Sequence, residues 1–223
     1  DGILQNSFPS KELSQYKEIK IEKDTLMVSK SFNANGGKSP FLNSGFMING
    51  LATTQKLEPN YVGGFKVLKD IVDDDNKNVL EEFFINEEAL KKWGELKGSK
   101  SIDKVSKDGY KYTFKEGSMI WPDPLDKPAR TIITSEGGPT PSRFKHIIKV
   151  NGKHRRLTPE ELDELSDFPK DWTKVGQRDT PDKHGSLEYE IPPNKRAFLI
   201  GNALVVGIVE KIGKSLFEEH SKE

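Results

Sequence analysis

The sequence predicts an α+β fold: a strand- and loop-rich body followed by a C-terminal helix. Three observations predict it. Short runs of alternating apolar and polar residues recur through the first half. Nineteen Gly and thirteen Pro cut the 223-residue chain into short segments. One longer stretch, near the C-terminus, carries apolar residues at helical spacing. The length suits one large domain or two small ones, at roughly 100–200 residues each. Hydrophobic residues make up 33% and charged residues 31%, so a modest core under extensive loops is expected.

The elements follow in order. Residues 19–22 alternate and read as a strand, as do residues 26–28. Residues 31–64 are rich in Asn, Gly, Ser and Pro. Within them, residues 45–53 read as a hairpin turning at Asn49-Gly50, because both central positions of that turn need positive φ. Residues 68–72 are short and apolar. Residues 70–95 are acidic, with nine Asp or Glu against Lys77, Lys91 and Lys92. Asn86 is placed to cap a helix that runs through Trp93. Residues 110–114 alternate and should form a strand. Thr158-Pro159-Glu160-Glu161 is a helix start: Thr158 caps, Pro159 fills the first turn and Glu161 closes a capping box. Leu162 and Leu165 give that helix its apolar side, and it stops before Pro169. Residues 170–195 are polar, carry Pro181, Pro192 and Pro193, and read as a connector. Gly201-Asn202 then turns into a helix bearing Leu204, Val205, Ile208, Val209 and Ile212, expected to be heavily buried.

Lys plus Arg and Asp plus Glu both total 35, so the chain is neutral overall. The distribution is uneven. Between residues 127 and 156 eight basic residues face a single acid, Glu136, and all six Arg lie from Arg130 onward. Such a run is ordinarily a solvated face. This one is loop-rich, contains Gly137-Gly138, and holds Ser135, Thr140 and Ser142, small donors suited to phosphate oxygens. A basic loop that backbone can approach closely is what phosphate and base-edge contacts need.

Other chemistry is sparse. The chain has no cysteine, which excludes disulfides, thiolate metal sites and a Cys nucleophile within it. No apolar run approaches the roughly 20 residues that span a bilayer. The best candidate, residues 197–212, is broken by Gly201, Asn202, Gly207, Glu210 and Lys211. No membrane association is expected. The start at Asp1-Gly2 reads as that of a fragment, and a cytoplasmic location is the expectation. The four His have no metal-ligand spacing. His146 and His154 read as surface or phosphate-side residues. Asp73-Asp74-Asp75 reads as a solvated turn, since no cation-loop spacing follows. Trp93, Trp121 and Trp172 read as packing residues. The residues alone support a DNA- or RNA-contacting module.

Three segments go further, and they resemble the C-terminal part of DNA cytosine-5 methyltransferases. Arg155-Arg156-Leu157-Thr158-Pro159-Glu160-Glu161, continuing to Phe168-Pro169, is similar to that family's ninth motif. Arg196 to Val206, with Gly201-Asn202-Ala203-Leu204 at its centre, is similar to the tenth motif. Pro128-Ala129-Arg130-Thr131-Ile132-Ile133-Thr134, followed by Gly137-Gly138, resembles the Thr-aliphatic and Gly-rich loop that closes a target recognition domain. Order and spacing fit across residues 127–216. Asp167 stands where the family usually has Gly, and Ala203 stands where Ser is common. The family's Phe-x-Gly-x-Gly, Pro-Cys, Glu-Asn-Val and Gln-x-Arg-x-Arg motifs are absent.

The resemblance implies the recognition half of an enzyme. It would be a second subunit of a split methyltransferase or an excised C-terminal piece, bacterial and nucleoid-associated, working in a restriction-modification system. Residues 1–156 would be the target recognition domain, variable over 1–126. Residues 157–223 would pack on a Rossmann-like catalytic domain, which the C-terminal helix completes. The absent half would bind S-adenosylmethionine and supply the Cys that attacks cytosine. The partner would be double-stranded DNA with its target base flipped out of the stack. Arg130, Arg143 and Lys145 would contact DNA, Arg and Lys being the usual readers of guanine edges. Thr131, Ile132, Gly137 and Gly138 would lie near the flipped nucleotide. Arg155 and Arg156 would either contact phosphate or hold the recognition domain to the ninth-motif helix. Asn202 and Ala203 would complete the cofactor pocket. The helix from Leu204 would expose an apolar face when the chain is alone, favouring self-association. Two other readings remain: a stand-alone DNA-binding module without methylation, and a protein-interaction scaffold.

Overall fold

The computed structural model describes residues 4–21, 24, 26–27 and 41–221. The chain divides into two compact units, Asp1–Gly64 with Lys211–Glu223, and Phe65–Glu210. Helices and strands are mixed, and among the described residues every strand pair is antiparallel.

Among its described residues the first unit holds five strands: β1 (Ser10–Glu12), β2 (Lys17–Lys20), β3 (Ser44–Ile48), β4 (Leu51–Gln55) and β5 (Leu57–Pro59). They form a β2-β4-β3 sheet and a β1-β5 pair. The hairpin turns at Asn49-Gly50 as expected, with φ of 50° and 79°. Thr54 is buried and ties the sheet to the incoming chain. Its hydroxyl donates to the Ser44 carbonyl at 2.9 Å and accepts from the Leu42 amide at 2.8 Å. Leu26 and Met27, expected in a strand, are helical; Glu22 and Val28 of the expected strands lie outside the described residues. The final residues join this unit through the Ser7 and Ser215 hydroxyls, 2.6 Å apart.

The second unit is built on one apolar cluster of Leu68, Val72, Ile148, Val150, Leu157, Leu162, Ala197 and Ile200. The short segment at 68–72 supplies its first members through a 3₁₀ turn, Leu68–Asp70. Helix α1 (Glu87–Lys97) starts where Asn86 accepts from the Ala89 amide at 2.8 Å, and it buries Trp93 and Lys97. Strands β6 (Lys100–Val105) and β7 (Lys111–Glu116) follow as a two-stranded ribbon, then the β8 (Ile148–Val150) and β9 (Lys153–Arg155) hairpin. Helix α2 (Pro159–Leu165) has the expected capping box, with Thr158 accepting from the Glu161 amide and Glu161 accepting from the Thr158 amide. The anticipated division at 156/157 falls inside this unit.

Three expectations are corrected. The connector at 170–195 contains a hairpin, β10 (Val175–Gln177) with β11 (Glu188–Glu190), and the start of helix α3 (Pro193–Gly201). These three-residue strands are largely exposed, so they bury no alternating face that periodicity could reveal. The turn expected at Gly201-Asn202 is present, at the end of α3 and ahead of α4 (Val206–His220). Helix α4 is not heavily buried: Ile208, Val209, Leu216 and Phe217 are all exposed. Trp172 is also exposed and stacks on Phe168, whereas Trp93 is buried and Trp121 stacks on His154. Among the described residues, no helix is long and apolar enough to cross a membrane and no side-chain group could hold a metal ion. Asp73 accepts from the Asp75 and Asn78 amides, as a turn residue does.

Candidate nucleic-acid interface

The basic loop between Asp123 and Ile147 is moulded by buried polar side chains. Asp123, nearly inaccessible, bridges its two ends: it accepts from Arg130 Nε and from the Ile147 amide, both at 2.8 Å. Arg130 continues inward, donating to the Phe144 carbonyl at 2.8 Å and the Lys145 carbonyl at 3.1 Å. The Arg130 amide donates to His146 Nε2 at 3.0 Å. That ring therefore carries its proton on Nδ1, which points at Glu136 Oε1, 3.0 Å away. His146 is thus a buried framework residue, correcting the expectation of a surface position. Lys97 reaches the loop from α1 and donates to the Lys145 carbonyl at 2.5 Å.

The loop also presses on helix α3. A Cβ on Gly137 would stand 2.6 Å from the Ala197 methyl, and one on Gly201 would stand 2.6 Å from the Thr134 backbone. Neither position has room for a side chain, so backbone meets backbone along this seam. Beside the seam opens a cavity of about 590 Å³, lined in part by Thr134, Ser135, Thr140, Ser142, Lys145 and Lys195. Phe198 and Pro141 line it too, and the hydroxyls and ammonium groups among its walls are of a chemistry suited to phosphate oxygens.

The residues expected to touch DNA divide into two groups. Thr131, Ser135 and Thr140 are exposed, Arg130, Gly137, Gly138 and Ser142 are half-buried, and Ile132 packs on the core. The other cations turn inward. Lys145 donates to the Gly138 and Thr140 carbonyls at 2.9 and 2.8 Å and so holds the loop's fold. Arg143 donates to the Leu96 and Gly98 carbonyls at 3.1 and 2.6 Å, and to that of Gly117. Arg155 makes a bidentate pair with Glu161, at 2.8 and 2.6 Å, and donates to Asn76 at 2.7 Å. Arg156 donates to the Gly137 and Glu82 carbonyls, both at 2.6 Å, with its guanidinium over the Phe83 ring. Arg155 thus ties Asn76 to α2, and Arg156 ties the Gly137 loop to the segment at Glu82. Arg196 acts similarly, joining Asp163 at 2.9 Å, Glu160 at 2.5 Å and Thr173 at 3.0 Å.

Burial leaves its mark on protonation. It pushes the Lys97 ammonium down to about 8, although nearby Asp123 favours the charge. Burial also lowers Lys145, against the pull of Glu136 and with the push of Arg156. Asp123 is raised by burial but held below the ordinary carboxylate range by its Arg130 and Ile147 hydrogen bonds. Sequence reasoning missed Asp123, Glu136 and Lys97. The one available signal was Glu136 itself, the lone acid in a cationic run.

Asn202 and Ala203 form the exposed break between α3 and α4. Asn202 Nδ2 donates to the Phe198 carbonyl at 2.9 Å, and the Ala203 amide to the Ile200 carbonyl at 2.9 Å. The segment is open, offers backbone polar groups and the Asn202 carboxamide oxygen, and stands beside exposed Leu204.

The chain belongs to the C-5 cytosine-specific DNA methylase family, whose model matches residues 41–218. It is similar to the type II methyltransferase M.Sau3AI of Staphylococcus aureus, with 32% identity over 219 residues. That match takes in 97% of this chain and 47% of the relative, so the chain spans about half the relative's length. A solved structure of the Entamoeba histolytica methyltransferase EhMeth aligns over 97% of this chain and 56% of that one, with a TM-score of 0.41 and 14% identity.

Proposed function

We propose that this chain supplies the DNA recognition and one wall of the cofactor site for S-adenosylmethionine-dependent methylation of cytosine C5 in duplex DNA, within a restriction-modification system. The observation that carries the reading is the seam at Gly137 and Gly201. It sets a loop rich in hydroxyls and cations against the helix that leads to Asn202 and Ala203. In this reading the DNA-facing and cofactor-facing segments share one support.

The residues take distinct tasks in this reading. Thr131, Thr134, Ser135 and Thr140 face the phosphates around the displaced base, with the Gly137-Gly138 backbone close to the flipped nucleotide. Arg130 shares its charge with that surface. Lys145 and Arg156 hold the loop in shape, and Arg155 ties Asn76 to α2. Asn202 and Ala203 hold polar groups of S-adenosylmethionine, which supplies the methyl group when bound. The nucleophilic thiol belongs to a catalytic half with a Rossmann-like sheet, because this chain contains no cysteine. The exposed apolar side of α4 packs on that half. Residues 1–156 and 157–223 are the recognition and docking portions.

The test combines the 223-residue chain with a separately produced catalytic half of a family member, labelled S-adenosylmethionine and duplex DNA. Methyl incorporation that requires both halves is expected. Two folded halves that transfer nothing would overturn the reading. Tight DNA binding without transfer would favour a stand-alone binding module.

A further inference from the structure

We infer that the β6–β7 ribbon is the part of this chain that enters a groove of duplex DNA, and that Arg143 sets its direction. This rests on the DNA reading above and goes beyond it by naming the element that does the reading. Among the described residues the two strands pair only with each other, from Lys100 opposite Glu116 to Val105 opposite Lys111. Residues 101–105, 107–113 and 115 are exposed, so the ribbon is solvated on both faces beyond its base. An isolated two-stranded hairpin is at best marginally stable, and something must hold this one. Arg143 does so from the neighbouring loop. Its guanidinium bonds the carbonyls of Gly98 and Gly117, close outside the two strand ends, and that of Leu96 in α1. A single buried side chain thus couples the ribbon's root to the loop lining the cationic cavity.

The dimensions suit a groove. Six residues per strand extend about 20 Å at roughly 3.4 Å each. The major groove, about 12 Å wide, admits a two-stranded ribbon. Charge suits it too. The antiparallel register puts Lys104 on one face and Lys111 and Lys115 on the other, with Lys107 in the turn. Cations on both faces fit an element flanked by phosphates on both sides. Among the described residues, the ribbon's ion pairs lie at its root, where Glu116 stands 3.9 Å from Lys100 and 3.7 Å from Arg143. Asp103 accepts from the Thr113 hydroxyl at 2.8 Å. Tyr110 and Tyr112 stack with centroids 6.4 Å apart and are both exposed, offering phenol hydroxyls to base edges or phosphates. The Lys104 ammonium lies over the Phe114 ring, 4.2 Å from its centroid, and interrupts the apolar face that would otherwise suit a protein partner.

The experiment measures binding of the whole chain to a fluorescent pool of random-sequence duplexes, about 30 base pairs long, across a salt series. Three proteins are compared: the unaltered chain, a Lys107→Ala/Lys111→Ala/Lys115→Ala variant, and a charge-matched control with Lys11, Lys17 and Lys20 each replaced by Ala. The ribbon variant should bind at least about tenfold more weakly, with a salt slope reduced by about 0.9 for each phosphate it no longer neutralises. The control should stay within about twofold, and Tyr110→Ala should weaken binding without changing the slope. Equal binding by the unaltered chain and the ribbon variant overturns this inference and leaves the DNA reading standing. Equal losses in the ribbon variant and the control also overturn it, because charge anywhere would then suffice. No binding by the unaltered chain at low salt removes both. The substituted side chains are exposed, so an unchanged melting curve verifies folding in each case.

Discussion

Asp167 adopts φ of 59°, the left-handed region where the family's ninth motif usually has Gly. An L-residue pays roughly 1–2 kcal/mol there, less for Asp than for bulkier types. Here the carboxylate also pairs with Lys66. Asp167→Gly should therefore change stability by less than about 1 kcal/mol, while Asp167→Val should lose about 1–3 kcal/mol, read from urea unfolding. Lys97 gives a pH prediction. Its folded-state value near 8 lies below the unfolded value of 10.5, so between the two the unfolded chain holds more protons. Its contribution to stability accordingly rises from about pH 8 toward pH 10.5. The difference in urea midpoint between the unaltered chain and Lys97→Met should change steadily across that window, and a flat difference would contradict the assignment. The Arg155–Glu161 pair is buried on both sides. Arg155→Met strands a buried carboxylate and should cost about 3–5 kcal/mol. None of these roles could be read from the residues alone. A cation in sequence looks the same whether it faces solvent or caps carbonyls inside a loop, and only the fold decides.

Elements with their own local code were legible. The α1 helix begins at its Asn cap, α2 at its Thr-Pro-x-Glu start, and the first hairpin at Asn49-Gly50, because each signal acts within about four residues. The β10–β11 hairpin and the start of α3 inside the connector depend on tertiary pairing and left little trace. Arg143 tests the coupling between elements: Arg143→Ala should speed amide exchange throughout the β6–β7 ribbon while the Trp93 core keeps its protection. At the α3 seam, Gly201→Ala places a methyl against the Thr134 backbone and should destabilise by about 1–3 kcal/mol in thermal unfolding. The exposed side of α4 belongs to this scale as well. Leu216→Lys with Phe217→Lys should shift the sedimentation profile of the isolated chain toward monomer at high concentration, since contiguous exposed apolar surface favours association.

Across the whole molecule, the mixed helix-strand character was legible, and so was the family, through three short motifs in order. The division into compact units was not, because the first unit draws on both ends of the chain. All three Trp lie in the second unit, so their fluorescence reports that unit alone. Removing residues 211–223, and with them most of α4, should leave the Trp unfolding midpoint nearly unchanged while circular dichroism loses helical signal. The tight approach of Gly201 to Thr134 also bears on protein engineering. Hybrids of two relatives joined between the ninth and tenth motifs would bring together surfaces shaped in different lineages, at a point where not even a methyl group can be absorbed. Exchanges that carry residues 128–201 as one block keep that match, and they are the ones that should yield working chimeras.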